Sequence, residues 1–227
     1  MHIKTSRSVE SLVDDQVGRW HASKTSGPER KRLPVLCLSR QTGTHARLVA
    51  RKVAEDMKMD LSGKEILNKV AADAKMRDAV VHTLDEKKRS FLDDLIASWQ
   101  VKNNLTSDEF FKYLVKTIGT VGEHGNHVIV GRGANFIIKP PQSLRVRFVA
   151  SIEFRIASVQ KEFNLDANKA KDWVISHDGE RKAYIRKYFN ADIDKSDNYD
   201  LVINSEFITV DEAAVMIESV LKSRWPK

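Results

Sequence analysis

Pro34-Val35-Leu36-Cys37-Leu38-Ser39-Arg40-Gln41-Thr42-Gly43-Thr44-His45-Ala46-Arg47-Leu48-Val49-Ala50 is an apolar run that breaks into a polar turn and then resumes with apolar residues at helical spacing. The pattern predicts a strand over 34–39, a loop, and a helix over 44–58 that buries Ala46, Val49, Ala50, Val53 and Met57. The first turn of a helix leaves backbone N–H groups unpaired, and its aligned peptide dipoles favour an anion there. The stretch is therefore built to hold an anion such as a phosphate. Its loop carries a single glycine, Gly43, and no Gly-Lys-Ser/Thr, so the architecture points to phosphate more strongly than the residues do.

Upstream, Val9, Leu12, Val13, Val17 and Trp20 recur at steps of three and four, which predicts a short amphipathic helix over 8–21. Such a helix is too short to stand alone. Its stripe is expected to dock within the chain, or alternatively to form a homodimer contact. A turn-forming basic tract, Ser23 to Arg32, reads as a linker. The domain assignment is thus 1–33 for the helix and basic linker and 34–227 for the main domain.

Downstream, 62–81 is helical but broken. Thr83 to Glu86 and Thr106 to Glu109 read as capping boxes that open two further helices. His127 to Val130 reads as a strand ending in the tight turn Gly131-Arg132-Gly133, and Pro140-Pro141 stops the helix after it. Leu144, Val146 and Phe148 alternate with Arg145 and Arg147 as in a strand. Ser151 and Asp166 cap two helices, the second running to Phe189; 199–204 is a strand; and Thr209 to Glu212 is a capping box for the last helix. Four strands separated by helices predict an α/β fold, a three-layer parallel sheet with helices on both faces and an N-terminal helical extension.

Of the 227 residues, 41% are hydrophobic and 30% charged, an ordinary globular balance. Nothing approaches the roughly 18 consecutive apolar residues of a membrane span. Residues 1–11 carry charge and no apolar core, so no secretory leader is expected. A single cysteine, Cys37, excludes an internal disulfide and fits a reducing cytoplasm. The net charge of +7 favours anionic partners. The seven histidines are scattered and form no ligand spacing for a protein-held metal.

Phosphoryl transfer requires neutralising several phosphate oxygens, so its sites are rich in arginine. The candidates are Arg40, Arg47, Arg132, Arg155 and Arg181, all but the last at or near strand ends. Asp178, Arg181, Tyr184 and Tyr188 share one helical face. Spacing alone reads that face as a solvated helix with an i,i+3 ion pair.

Taken together, Ser39-Arg40 with its loop and Arg47, Val130-Gly131-Arg132-Gly133-Ala134-Asn135-Phe136-Ile137, Phe154-Arg155, the Asp178/Arg181/Tyr184/Tyr188 helix and Asn198-Tyr199-Asp200-Leu201-Val202-Ile203-Asn204 resemble the cytidylate kinase-like family of P-loop nucleoside monophosphate kinases. The resemblance implies a P-loop NTPase-like fold. It also implies ATP-dependent phosphoryl transfer to a pyrimidine nucleoside monophosphate, with Mg²⁺ bridging the donor phosphates. Arg40 and the loop residues Gly43, Thr44, His45, Ala46 and Arg47 would cradle ATP, and Arg132 and Arg155 would hold the acceptor. Arg181, with Asp178 and Tyr184 on a lid-like helix, would close over the transferred group.

The family's loop reads Arg-Glu-x-Gly-Ser-Gly-Gly-Arg-Glu, so His45 and Ala46 stand where it has glycines and Leu48 where it has a carboxylate. Gly63 likewise stands where the family often has aspartate. A β-carbon at 45 and 46 is expected to narrow the cradle and weaken ATP binding. Two alternatives stay open: a catalytically impaired relative that senses nucleotides or binds partners, and, less favoured, a basic nucleic-acid-binding protein.

Overall fold

The computed structural model describes residues 8–24, 34–102 and 108–226. The proposed basic linker lies almost entirely outside these residues, as does Thr106, the expected cap of the second middle helix. The elements are α1 (Val9–Lys24), β1 (Val35–Arg40), α2 (Ala46–Met57), β2 (Asp60–Ser62), α3 (Lys64–Ala72), α4 (Ala74–Val81), α5 (Glu86–Lys102), α6 (Glu109–His124), β3 (His127–Val130), α7 (Ala134–Ile137), β4 (Ser143–Val149), α8 (Ile152–Phe163), α9 (Ala167–Phe189), β5 (Leu201–Asn204) and α10 (Val210–Arg224). They fall into two compact units, one of residues 34–61 and 126–226, the other of residues 8–24, 62–102 and 108–125.

The first unit holds a five-stranded sheet in the order β2-β3-β1-β4-β5. The pairs β1–β3, β1–β4 and β4–β5 are parallel. Side chains alternate across a strand, so Leu36, Leu38, Leu144, Val146 and Phe148 fall on one face, where Val49, Val53, Ala214 and Ile217 of α2 and α10 close a core with them. The opposite face carries Val35, Cys37 and Ile129, all buried, together with two arginines of β4. Those arginines find carboxylates: Arg145 Nη2 donates to Asp200 Oδ1 at 2.9 Å, and Arg147 Nη2 to Asp194 Oδ1 at 2.5 Å.

Three caps hold as the residues predict. Ser151, Asp166 and Thr209 each accept from the backbone N–H three residues on, and Glu212 returns the bond to Thr209. The cap expected at Thr83 is instead Asp85, whose carboxylate accepts from Lys88 N at 2.8 Å. Thr83 is turned inward, donating to Val80 O and contacting His124 Nε2. Asp108 caps α6 through Phe111 N.

The fifth strand, β2, lies in a stretch with no strand expectation. The expected strand over 199–204 shortens to β5 because Tyr199 and Asp200 are used otherwise. The Tyr199 hydroxyl reaches Ile193 O at 2.7 Å, and Asp200 is held by Arg145.

In the second unit, α6 packs against α3, α4 and α5, and α1 lies on α3 and α4. Val13 and Trp20 of α1 are buried, and the Trp20 indole stacks on His124 with ring centroids 4.1 Å apart. The N-terminal stripe is thus covered within the chain. No helix of the described residues is long and apolar enough to cross a membrane.

Candidate functional site

From β1 the chain crosses through α2 toward the β2 edge. From β4 it crosses through α8 and α9 to the β5 edge. Adjacent strands whose connections leave in opposite directions open a crevice beyond their C-terminal ends, where ligands of such sheets bind. Here that crevice lies between the loop after β1 and the start of α8.

Gly43 has a φ of +84°, and a β-carbon there would press into the Arg155 carbonyl and lie 2.9 Å from Arg155 Cα. The neighbours are backbone, so only glycine fits. Gln41 fastens the same place: its N–H donates to Phe148 O, and its Oε1 accepts from Ala150 N at 3.0 Å. Thr44 Oγ1 donates back to Gln41 O at 2.9 Å.

The residues that replace the family's glycines carry no backbone strain. His45 has φ −78° and ψ 10°, open to any L-residue. Its ring meets Phe154 edge-on at 5.4 Å between centroids. Ala46 is fully buried in the core beneath α2, so its methyl points away from the loop. The one strained position keeps its glycine. Leu48 is 53% exposed on α2 and offers no oxygen.

The second strand end is more strained. Gly131, Arg132 and Gly133 all have positive φ, at 84°, 57° and 68°. A β-carbon on Gly131 would come within 2.5 Å of Arg40 Nη1, and one on Gly133 would strike the Phe189 ring. The glycines make room for a guanidinium on one side and for the end of α9 on the other. Arg132 pays for a left-handed backbone, on the order of 1–2 kcal/mol. Its Nε is buried without a hydrogen-bond partner, and its guanidinium lies over Tyr184, 5.4 Å from the ring centre. Tyr184 in turn packs against Tyr188 at 4.8 Å.

Burial, then the fields of Arg181, Arg47 and Arg132, push the Arg40 guanidinium down to about 9. Burial first, and then Arg47 and Arg147, also lower Arg181, against the pull of Asp178. The charges of Arg47, Arg132 and Arg181 thus reach Arg40, whose Nη1 also lies against Gly131. Arg40, Arg47, Arg132 and Arg181 are therefore brought together. Arg155 is used differently: buried, it donates to Ala150 O at 3.1 Å, to Thr42 O at 3.4 Å and to Asp178 Oδ2 at 2.6 Å.

Asp178 and Arg181 do form the ion pair that spacing predicts, at 3.0 Å, yet they face the loop and not solvent. Three residues at the site escaped the sequence reading. Thr42 binds Asp178 through both N–H and Oγ1 at 2.8 Å. Arg147, 3% exposed, donates to Ser39 Oγ at 2.8 Å as well as to Asp194. Asp194 also pairs with Lys182 of α9 at 2.7 Å. The only sequence signal for these was arginine in a strand bound for a two-sided sheet.

A model of the cytidylate kinase-like family matches residues 35–206. The chain belongs to the cytidylate kinase-like family. It is similar to the cytidylate kinase of Staphylothermus marinus, 28% identical over 98 residues that make up 43% of this chain and 55% of that one. The cytidylate kinase of Thermoplasma acidophilum is 29% identical over 94 residues, 40% of this chain and 50% of the relative. The chain thus spans about half the length of the curated relatives it matches. An uncharacterized protein from Eubacterium ventriosum ATCC 27560 shares the fold, with a TM-score of 0.67 and 24% identity over 85% of this chain and 99% of that one. This family member has the three-layer α/β architecture expected of a P-loop NTPase-like protein.

Proposed function

We propose that this protein is an ATP-dependent phosphotransferase acting on a pyrimidine nucleoside monophosphate such as CMP or dCMP. The observation that carries the reading is the mutual approach of Arg40, Arg47, Arg132 and Arg181 beside a loop whose positive-φ glycine is retained. Asp178 answers Arg181 at 3.0 Å, which leaves an excess of positive charge that an anion of several charges would complete. ATP and a monophosphate together supply one.

In this reading the loop N–H groups and Arg47 hold the donor phosphates, with Ala46, fully buried, supporting the turn from beneath. Arg40 meets the same phosphates from the end of β1. Arg132, raised by its strained turn, holds the acceptor phosphate, and Tyr184 buttresses it. Arg181 neutralises charge on the group in transfer, and Arg155 fixes the loop while Asp178 is docked and holds phosphate when Asp178 leaves. Such transfer needs positioning and electrostatics and little covalent chemistry from the protein.

No cluster of three or more metal-ligating side chains occurs among the described residues. The oxygens nearest the loop, Thr44 Oγ1 and Asp178, are engaged with Gln41, Thr42 and arginines. Mg²⁺ would accordingly ride on the nucleotide phosphates, supplying charge neutralisation between donor oxygens.

The family match over residues 35–206 lies inside 34–227, the proposed phosphotransfer domain, with 1–33 as its appendage. A single buried cysteine supports a cytoplasmic setting. A homodimer through the N-terminal helix would appear as a doubled mass in light scattering. The absence of a carboxylate at Leu48 favours a second reading, nucleotide sensing without turnover.

A coupled assay with ATP–Mg²⁺ and CMP, dCMP or UMP separates the two. ADP release that depends on the monophosphate supports the kinase. Binding without turnover supports the sensor, and neither turnover nor a thermal shift with ATP defeats both.

A further inference from the structure

The Thr42–Asp178 contact has no part in holding substrate, yet it sits in the cradle. Asp178 Oδ1 accepts from Thr42 N–H and Thr42 Oγ1–H, both at 2.8 Å, and from Arg181 Nη1 at 3.0 Å. Its Oδ2 accepts from Arg155 Nη1 at 2.6 Å. Arg181 also donates to Thr42 Oγ1. One carboxylate thus collects four donors on a loop otherwise suited to phosphate. An incoming polyphosphate competes for those cations and meets a like charge in place.

The helix that carries Asp178 has a weak point beside it. Gly179 follows it in the interior of α9, where glycine weakens a helix relative to alanine. A β-carbon at Gly179 would meet nothing within 4 Å, so packing does not explain it. Farther along, α9 is tied down by Lys182–Asp194 at 2.7 Å and by Phe189 against Gly133.

We propose that Asp178 is a built-in counter-anion that plugs the phosphate loop of the nucleotide-free protein, latched through Thr42 and Arg155, and that donor phosphates expel it by bending α9 at Gly179. This rests on the nucleotide reading above. The plug sets the affinity for the donor and couples filling of the loop to release of Arg181 and Arg155 from Asp178.

The test is calorimetric titration of Mg²⁺-free ATP into wild type, Asp178→Asn and Thr42→Val, with turnover measured in parallel. Removing the charge is expected to tighten ATP roughly tenfold while kcat falls, a split that a merely structural residue would not give. Thr42→Val, which loosens the latch without stripping Arg155 of its partner, is expected to tighten ATP by roughly threefold, and Thr42→Ser to restore wild-type affinity.

If wild type binds ATP and both weakening variants bind it equally or less well, the plug is overturned and the nucleotide reading stands. If no form binds ATP or tripolyphosphate, that reading fails, and hydrogen exchange at the Thr42 amide tests the latch alone. Faster exchange in Asp178→Asn supports it; equal exchange overturns it.

Discussion

Restoring glycine at 45 and 46 separates the reading of the loop by sequence from its reading by geometry. If the two side chains narrow the cradle, His45→Gly/Ala46→Gly tightens ATP. The structure predicts otherwise. His45 sits at φ −78° and its carbonyl accepts from Leu48 N and Val49 N, bonds that glycine keeps. What is lost is the ring contact with Phe154, worth about 0.5–1.5 kcal/mol. Ala46 opens α2 and is fully buried. Its replacement by glycine forfeits one buried methyl, about 0.8 kcal/mol, and adds about 0.5–1 kcal/mol of backbone entropy.

The double variant should therefore lose roughly 2–3 kcal/mol of stability, a Tm drop of roughly 5–10 °C for a chain this size. Its ATP affinity should stay within about threefold of wild type, the scale of a single lost hydrogen bond or less. Urea unfolding and calorimetric titration of ATP measure the two. Unchanged stability with ATP bound tenfold tighter or more would refute the reasoning. Gly43→Ala is the contrasting case: left-handed backbone and backbone neighbours on the Arg155 side cost roughly 3 kcal/mol or more and should abolish ATP binding.

Arg132→Gly relieves a left-handed arginine, so its Tm should equal or exceed that of wild type while affinity for the acceptor nucleotide falls. A Tm well below wild type would contradict the strain argument. Burial would raise Asp200 above its ordinary 3.8, but hydrogen bonds from the Arg145 side chain and N–H outweigh it and leave the carboxyl lowered. On acidification the unfolded chain then binds the proton first, so the stabilisation is present above the unfolded value and disappears as pH falls through the folded one. Urea midpoints should decline below pH 4 or so, and less steeply in Asp200→Asn, which starts from a lower stability at neutral pH. Burial pushes the Cys37 thiol up to about 12; labelling by a thiol reagent should therefore follow global unfolding, and rapid labelling of the native protein would place Cys37 elsewhere.

Much of this was legible locally. The apolar run to Ser39, the polar break and the renewed helical spacing make β1, the loop and α2 readable within one stretch, because period and punctuation change together. Thr209 and Glu212 supply both halves of a capping box and were found where they act. Thr83 and Glu86 show the same spacing, but Asp85 is the stronger acceptor at the actual helix start, so the motif alone misplaced the cap. Strand β2 has a single apolar residue among three and carries no periodicity to read.

The site divides in the same way. Arginines at strand ends can be read from composition and position. The bond from Thr42 to Asp178 spans 136 residues and leaves no mark in either neighbourhood. The direction of the Ala46 methyl was equally hidden: substitution of a glycine says a β-carbon is present, and only the backbone says which way it points.

In the proposed reading, nucleotide phosphates complete the crevice beyond β1 and β4. Isothermal titration of the wild-type protein with ATP and then CMP, each with and without Mg²⁺, tests it most directly. Saturable binding of ATP that Arg40→Ala and Arg132→Ala each weaken is expected, followed by binding of CMP to the ATP-loaded protein. Absence of heat with ATP and with CMP alike, in a protein shown to be folded, would contradict it.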